Sequence, residues 1–387
     1  MRVAFVVQRY GLEVNGGAEA LCRWVAERMQ RYFELEVLTT CALDYLSWEN
    51  HFPDGLESVN GVKVRRFSVD LPRNMSRFNR FARKLFARRD RSLLDELAWV
   101  KMQGPSSAAL LAYIKEHEAE YDLFIFVTYS YLTTFLGLQL VPHKSILIPA
   151  AHDEAHFQFS VFQPIFHLPR GMIFSTQEER RLVHTRWRNE RIPSCIAGVG
   201  LEESEEDSEA ACSFPSPYLL YVGRIDVMKG CQKLLDDFLR YCGQRQPELH
   251  LVLLGRQEMD CPDHERIHAP GFVSEACKAD AVRRATLVVN PSEFESLSLL
   301  ILEAWQAGVP VLVNGRSEVL TAHCLKSNGG LYYTNYEEFA LCLDLLLGNR
   351  DLRQMMGRQG RQYVDEHYCP DRVEKSYVDF ITRIANA

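Results

Sequence analysis

Unbroken apolar runs separated by amphipathic stretches set the pattern along this chain. In the first half the runs are VAFVV (3–7), LEVLTT (35–40), VKVRRFSV (62–69), LFIFVTY (123–129), SILIPA (145–150) and MIFST (172–176), while 18–31 and 106–118 carry apolar residues at helical spacing. A strand buried on both faces needs no polar alternation, so runs of this kind predict parallel sheet covered by helices on both sides. A second series follows: YLLYVG (218–223), LHLVLLG (249–255), ATLVVNPS (285–292) and VPVLVNG (309–315), each leading into a helical pattern. Between the two lies GLEESEEDSEAACSFPSPY (200–218), acidic, rich in Ser and Pro and without a period, as a surface linker is. The prediction is α/β: two Rossmann-like, doubly wound domains over 1–199 and 218–369, joined by a linker at 200–217. The last segment, 370–387, opens on Pro370 and sets Val373, Tyr377, Phe380, Ile381 and Ile384 at helical spacing, which predicts a terminal helix in need of a surface.

Length agrees with that division, since 387 residues exceed what one hydrophobic core usually serves. No run of eighteen apolar residues appears, so no membrane-spanning helix is expected, and the opening MRVAFVVQRYG reads as a first strand rather than a signal peptide. The net charge of −7 offers no general attraction to nucleic acid. Eleven cysteines are scattered singly with no CxxC, so we expect neither a zinc site nor a disulfide framework, and reduced thiols in a cytoplasmic protein.

Ligands of doubly wound sheets bind where strands end and helices begin. After strand 3–7 the chain reaches Gly16-Gly17 before a helix at Ala18, a place where backbone N–H groups can meet a phosphate or a sugar hydroxyl; a plain flexible turn is the alternative. No GxGxxG follows the strand, so the dinucleotide fingerprint is absent. The exit YVGRIDVMKG (221–230) places Gly223, Arg224, Lys229 and Gly230 at the mouth of a helix, where a guanidinium and an ammonium can neutralise a diphosphate; solvated loop charges are the alternative. In SEFESLSLLILEA (292–304), a helix starting near Ser298 leaves Glu295 in the preceding loop and Glu303 in an otherwise apolar helix, where two solvated glutamates fit poorly. His152 follows an apolar strand and precedes DEAHF, and is either a site residue or a satisfied structural histidine.

Gly16-Gly17-Ala18-Glu19, His152-Asp153, Gly223-Arg224 with Lys229-Gly230, and Glu295 with Glu303-Ala304 then Gly308-Val309-Pro310 occur in the order and spacing that resembles glycosyltransferase family 4. The resemblance implies a GT-B fold, with two domains facing across a cleft and a C-terminal helix crossing back to the N-terminal domain. It implies retaining transfer of a sugar from a nucleotide diphosphate sugar, without metal or other cofactor. Position by position, Arg224 and Lys229 would hold the donor diphosphate beside Gly223 and stabilise the leaving nucleotide. Glu303 would hold the ribose hydroxyls, Glu295 and His152 the donor sugar, and Gly271-Phe272-Val273 the base. Gly16 and Gly17 would serve the phosphates or the acceptor. One departure is visible: many members carry Gly where this chain has Ser298, although the backbone N–H groups of Ser298 and Leu299, and the serine hydroxyl, can still bind.

No Asp-x-Asp occurs, so the metal signature of the GT-A fold is missing; the acidic run 202–207 reads as a solvated linker rather than a cation site. Between Arg73 and Arg91 eight cations face one acid, Asp90. On a helix Arg77, Arg80, Lys84, Arg88 and Arg91 form one stripe beside Phe78, Phe81, Ala82 and Leu85. Such a face suits an anionic membrane surface or a lipid diphosphate acceptor, or else its Phe stripe simply packs on its own domain. The expected partners are thus a nucleotide sugar and a glycan or lipid-linked acceptor of cell-surface polysaccharide synthesis. Peripheral contact at the inner face of the membrane accompanies them, with no nucleic acid. A soluble acceptor, a nucleotide-sugar 2-epimerase and a non-catalytic scaffold are the competing readings.

Overall fold

The computed structural model describes residues 1–202, 212–245 and 248–387, and most of the acidic linker segment, 203–211, lies outside them. The chain divides into two compact units, Met1–Val199 with Val373–Ala387, and Gly200–Arg372.

The first unit runs β1 (Arg2–Val6), α1 (Gly17–Met29), β2 (Glu34–Thr40), β3 (Gly55–Val59), β4 (Val62–Phe67), α2 (Met75–Phe86), α3 (Leu93–Gln103) and α4 (Ala108–Glu116). It continues with β5 (Leu123–Val127), α5 (Leu132–Leu140), β6 (Ser145–Ile148), α6 (Gln163–His167), β7 (Gly171–Phe174), α7 (Gln177–Trp187) and β8 (Ser194–Ile196). The sheet order is β3-β4-β2-β1-β5-β6-β7-β8, with β3 antiparallel to β4 and every other pair parallel. The apolar runs of β1, β5, β6 and β7 are buried because helices cover both faces of the sheet.

The second unit runs β9 (Tyr218–Val222), α8 (Cys231–Arg245), β10 (His250–Leu254), β11 (Ile267–Gly271), α9 (Glu275–Arg284), β12 (Leu287–Asn290) and α10 (Leu299–Gln306). After these come β13 (Val311–Asn314), α11 (Glu318–Ser327), β14 (Gly330–Tyr333), α12 (Tyr336–Gly348) and α13 (Arg350–His367). Its all-parallel sheet has the order β11-β10-β9-β12-β13-β14. Strand order reverses between β9 and β12 here, and between β1 and β5 in the first unit; these switch points are where crevices open at the strand ends.

Helix α14 (Pro370–Asn386) carries the chain back to the first unit. Its apolar face is buried, Tyr377 donates to the carbonyls of Ala197 and Gly198 at 3.0 and 3.1 Å, and Arg28 donates to Glu374 at 3.1 Å. Gly171 is what allows the approach: a Cβ there would stand 2.9 Å from the Phe380 ring and 3.1 Å from Ile384.

Two expectations need correction. Cys212 and Cys277 are joined as a disulfide, Cα atoms 5.3 Å apart, tying the chain ahead of β9 to α9; cysteines 65 residues apart gave no pattern to read. And α2 ends at Phe86, so Arg88 and Arg91 leave the basic stripe. The chain breaks there because Ser92 and Asp95 form a capping box that starts α3 afresh, with Asp95 N–H donating to Ser92 Oγ and Ser92 N–H to the Asp95 carboxylate. Arg88 pairs with Asp95 at 3.5 Å, and Arg91 lies over the Phe159 ring. Phe78, Ala82 and Leu85 are buried against the first unit's core beside Trp99. Arg77, Arg80, Arg83 and Lys84 stay exposed and make no ion pair among the described residues.

Candidate functional site

In the second unit the exits of β9 and β10 carry one motif twice: Gly223-Arg224-Ile225-Asp226 and Gly255-Arg256-Gln257-Glu258. The two segments extend the sheet in parallel, Ile225 bridging to Gln257, with Ile225 N–H donating to the Arg256 carbonyl and Glu258 N–H to the Ile225 carbonyl, each at 2.9 Å. Gly255, at φ +136°, cannot carry a side chain, because a Cβ would collide with the Gly223 carbonyl. Gly223 N–H donates to Leu254 and Gly255 N–H to Gly271, so the three strand ends form one ledge of nearly bare backbone reaching Gly271-Phe272-Val273. Phe272 stands exposed on it.

Each cation of this crevice has an acidic neighbour. Arg224 Nη1 lies 3.3 Å from Asp226 Oδ2 and 3.8 Å from Glu258 Oε2, and Asp226 Oδ1 also accepts the Lys229 N–H at 2.7 Å. Lys229 Nζ donates to Glu295 Oε1 at 2.9 Å, bringing together two residues 66 apart in sequence. The β12 exit is held by its own asparagine: Asn290 Oδ1 accepts the Ser292 N–H, and Asn290 Nδ2 donates to Ser298 Oγ at 2.9 Å. Ser298 stands at the N-cap of α10 with φ +71°, a left-handed conformation that glycine adopts more cheaply. Its hydroxyl is engaged by Asn290, which limits the role expected for it toward a ligand. Leu299 opens the helix, and Ser298 at its N-cap makes no side-chain cap bond to it. Glu303, one turn further, is bound by Lys278 of α9 at 3.1 Å.

In the first unit the β1/β5 switch point holds a buried network. Arg9 donates through Nε (3.0 Å) and Nη2 (2.5 Å) to Glu19 Oε1, and Gln8 Nε2 donates to the same oxygen at 2.9 Å. Thr128 Oγ1 donates to Gln8 Oε1 at 3.0 Å. Arg9 also binds the carbonyls of Asn15 and Leu43, pinning the loop that leads to Gly16-Gly17. Gly16 has no room for a Cβ, since the Glu19 carboxylate lies over it.

His152 follows β6, its Nδ1 2.5 Å from Glu154 Oε1; the other Glu154 oxygen lies 3.1 Å from His156 Nδ1. His156 stacks on Trp99 at 4.7 Å, and burial, helped by His152, pushes its imidazole down to about 3, so it stays neutral. Behind this loop the buried Glu179 accepts the N–H groups of Ala151 and Ser175, each at 2.7 Å. Burial pushes its carboxyl up to about 8 against the backbone donors that pull it down. A folded-state value above the unfolded one means stability present in acid and lost as pH rises through roughly 4.5 to 8. Glu179→Gln is therefore expected to flatten the pH dependence of the melting temperature between pH 5 and 9; an unchanged slope would assign that dependence to other groups.

Sequence reasoning missed Asp226, Glu258 and Lys278 in the second unit and Gln8, Arg9, Glu154 and Glu179 in the first. The repeated Gly-Arg-x-acid motif was the available signal for Asp226 and Glu258. For Lys278, whose partner Glu303 is 25 residues away, there was none.

Residues 203–363, less than half of the chain, match the family described as Glycosyl transferases group 1. Among solved structures, sucrose-phosphate synthase from Thermosynechococcus elongatus superposes with a TM-score of 0.70 at 16% identity, covering 99% of this chain and 98% of that one. The fold is GT-B. HepE of Anabaena, solved in complex with UDP and glucose, superposes with a TM-score of 0.69 at 13% identity over 99% of this chain and all of its own. A curated relative, the lipopolysaccharide core biosynthesis glycosyltransferase LpsE of Rhizobium meliloti, is 23% identical over 209 residues, 50% of this chain and 58% of the relative. The chain spans 43%, 30% and 58% of the lengths of the three curated relatives it matches. At these identities the structural likeness speaks for the GT-B fold, and the family match supports a glycosyltransferase. Among the described residues no helix is long and apolar enough to cross a membrane.

Proposed function

We propose that this chain is a retaining glycosyltransferase that moves a sugar from a nucleoside diphosphate sugar to a hydroxyl of a glycan or lipid-linked acceptor, without a metal ion. The observation that carries the reading is the second unit's switch point, where Arg224, Lys229, a backbone ledge and the start of α10 adjoin Glu295 and Glu303. Arg224 and Lys229 take the diphosphate, exchanging Asp226 and Glu295 for phosphate oxygens, and offset the charge that develops on the leaving nucleotide. Glu295 and His152 serve the sugar hydroxyls, Glu303 the ribose, Gly271-Phe272-Val273 the base, and the N-terminal unit, with Gly16 and Gly17, the acceptor. In the retaining step the bond from the anomeric carbon to the β-phosphate oxygen breaks. The departing oxygen takes the acceptor hydroxyl's proton, and the acceptor oxygen bonds the anomeric carbon on the same face.

UDP-sugars are the first donors to try, given the ligands named for HepE, and LpsE lends support to a cell-surface acceptor. Thermal melts with UDP, GDP, ADP, CMP and dTDP in EDTA test the donor site, since ligand at a hundred times Kd stabilises by about 2.7 kcal/mol. One nucleoside diphosphate should raise the melting temperature, and Lys229→Ala should reduce the shift without abolishing it. A shift that needs Mg²⁺ would overturn the metal-free reading, and none at all the donor site. Conversion of a UDP-sugar with no acceptor present would favour a 2-epimerase instead.

We extend the proposal to membrane contact through the exposed Arg77, Arg80 and Lys84 of α2, near the exposed Phe86, Leu93 and Leu94. Co-sedimentation with phosphatidylglycerol vesicles should exceed that with phosphatidylcholine and fall in Arg80→Glu/Lys84→Glu; equal pelleting with both lipids argues against it.

A further inference from the structure

Glu303 has a partner that neither the donor reading nor the relatives assign. Its Oε1 accepts from Lys278 Nζ at 3.1 Å, and the same ammonium lies 2.7 Å from Glu275 Oε2. Lys278 belongs to α9, entered directly from the Gly271-Phe272-Val273 end of the ledge, and Glu303 to α10, against which α9 packs. Both side chains are largely covered, 22% and 28% exposed. Burial alone would lower the lysine's affinity for its proton, but Glu303 and Glu275 outweigh it and hold the ammonium above its usual value.

Two consequences follow from this contact. A glutamate on a helix face samples several rotamers, and a charge-assisted bond to a covered ammonium fixes the plane of its carboxylate. Glu303 Oε2 accepts no bond from the described residues, so the fixed carboxylate presents one open oxygen and one that can still accept through its second lone pair. The second consequence is electrostatic. A nucleoside diphosphate is itself anionic, and an unpaired carboxylate beside it repels it; the ammonium, shared with the exposed Glu275, weakens that repulsion while leaving the acceptor capacity in place.

We propose that Lys278 is the positioning residue of a ribose subsite, holding Glu303 so that its carboxylate receives the 2′- and 3′-hydroxyls of a nucleotide and thereby selecting ribo- over 2′-deoxyribonucleotides. This rests on the donor reading above. It differs from that reading in assigning selectivity to the pair rather than to the glutamate alone.

Isothermal titration of the full chain with UDP and with 2′-deoxy-UDP, in EDTA, separates the two claims. GDP and 2′-deoxy-GDP take their place should the melts select guanine. A hydrogen bond to a charged acceptor corresponds to roughly a tenfold or larger preference, and the wild type should favour UDP by about that ratio. In Lys278→Met the preference should fall below about threefold through loss of UDP affinity, and Lys278→Arg should recover most of it. Lys278→Gln, which keeps a donor without the charge, provides a second reading should the Met variant fold poorly. Equal weakening toward both nucleotides, leaving the ratio intact, would overturn the proposal and reduce Lys278 to a packing contact between α9 and α10. A wild type that binds neither nucleotide, nor any other of the panel, would sink the donor site and the subsite together.

Discussion

Lys229→Ala is expected to cut kcat by roughly 10²–10³-fold while weakening nucleotide-sugar binding by much less, as measured by initial rates against donor concentration and by direct titration. The range is that of removing one preorganised donor from a site where charge develops in the transition state. The asymmetry follows from the proposed donor reading, in which the ground-state diphosphate would also be held by Arg224 and the α10 backbone, whereas the leaving oxygen gains its extra charge only as the sugar departs. A second effect is particular to this chain. Lys229 is bonded to Glu295, whose side chain is 15% exposed, so its removal leaves a mostly buried carboxylate unpaired next to the incoming phosphates. Lys229→Ala with Glu295→Gln should then bind UDP better than Lys229→Ala alone, a non-additive result that a double-mutant cycle reads directly. Equal losses in turnover and binding would remove Lys229 from the leaving-group role.

Arg9→Met is expected to be the most destabilising single change, at about 3–5 kcal/mol, since Glu19 would be left as an uncompensated buried charge. Arg9 and Glu19 are 6% and 7% exposed, and Arg9 also fastens Asn15 and Leu43. Four of the five tryptophans, Trp24, Trp48, Trp99 and Trp187, lie in the first unit, so intrinsic fluorescence during urea denaturation reports chiefly on that unit. Arg9→Met/Glu19→Leu should recover much of the loss, because neither charge is then stranded. A double variant no more stable than Arg9→Met would point to the carbonyl contacts as the source.

The strands show what a sequence makes legible. The ten central ones announced themselves as apolar runs because they are paired on both sides and largely buried, although β4 keeps Lys63 exposed. Among the described residues the four that did not, β3, β8, β11 and β14, are the edges of the two sheets. An edge strand is paired on one side and often half-exposed, so it is short and polar at intervals: GLESV in β3, SCI in β8, and IHAPG in β11 with the Pro270 that only an edge tolerates. The candidate site divides in the same way. Gly223, Arg224, Lys229, Glu295 and Glu303 could be singled out as candidates because strand exits and the helices they lead into have a local signature. Lys278, the counter-ion of Glu303, comes from a neighbouring helix, and pairing across elements leaves no local mark. The extended basic stripe failed for the opposite reason, since a periodicity continued past Phe86 overran the Ser92–Asp95 box written in plain view.

The return of α14 to the first unit has a consequence for how the chain is made. Residues 200–372, 173 in number (372 − 200 + 1), must all be synthesised before the helix bearing Tyr377, Phe380 and Ile384 appears. At ribosomal speeds of about 5–20 residues per second that interval lasts roughly 9–35 s. During it the first unit exists as an open-faced body, the groove beside Gly171 still uncovered, while the second unit can fold to completion. The order of synthesis is thus N-terminal first, but the order of completion is reversed, and a helix made only after the second unit closes the first domain that began to fold.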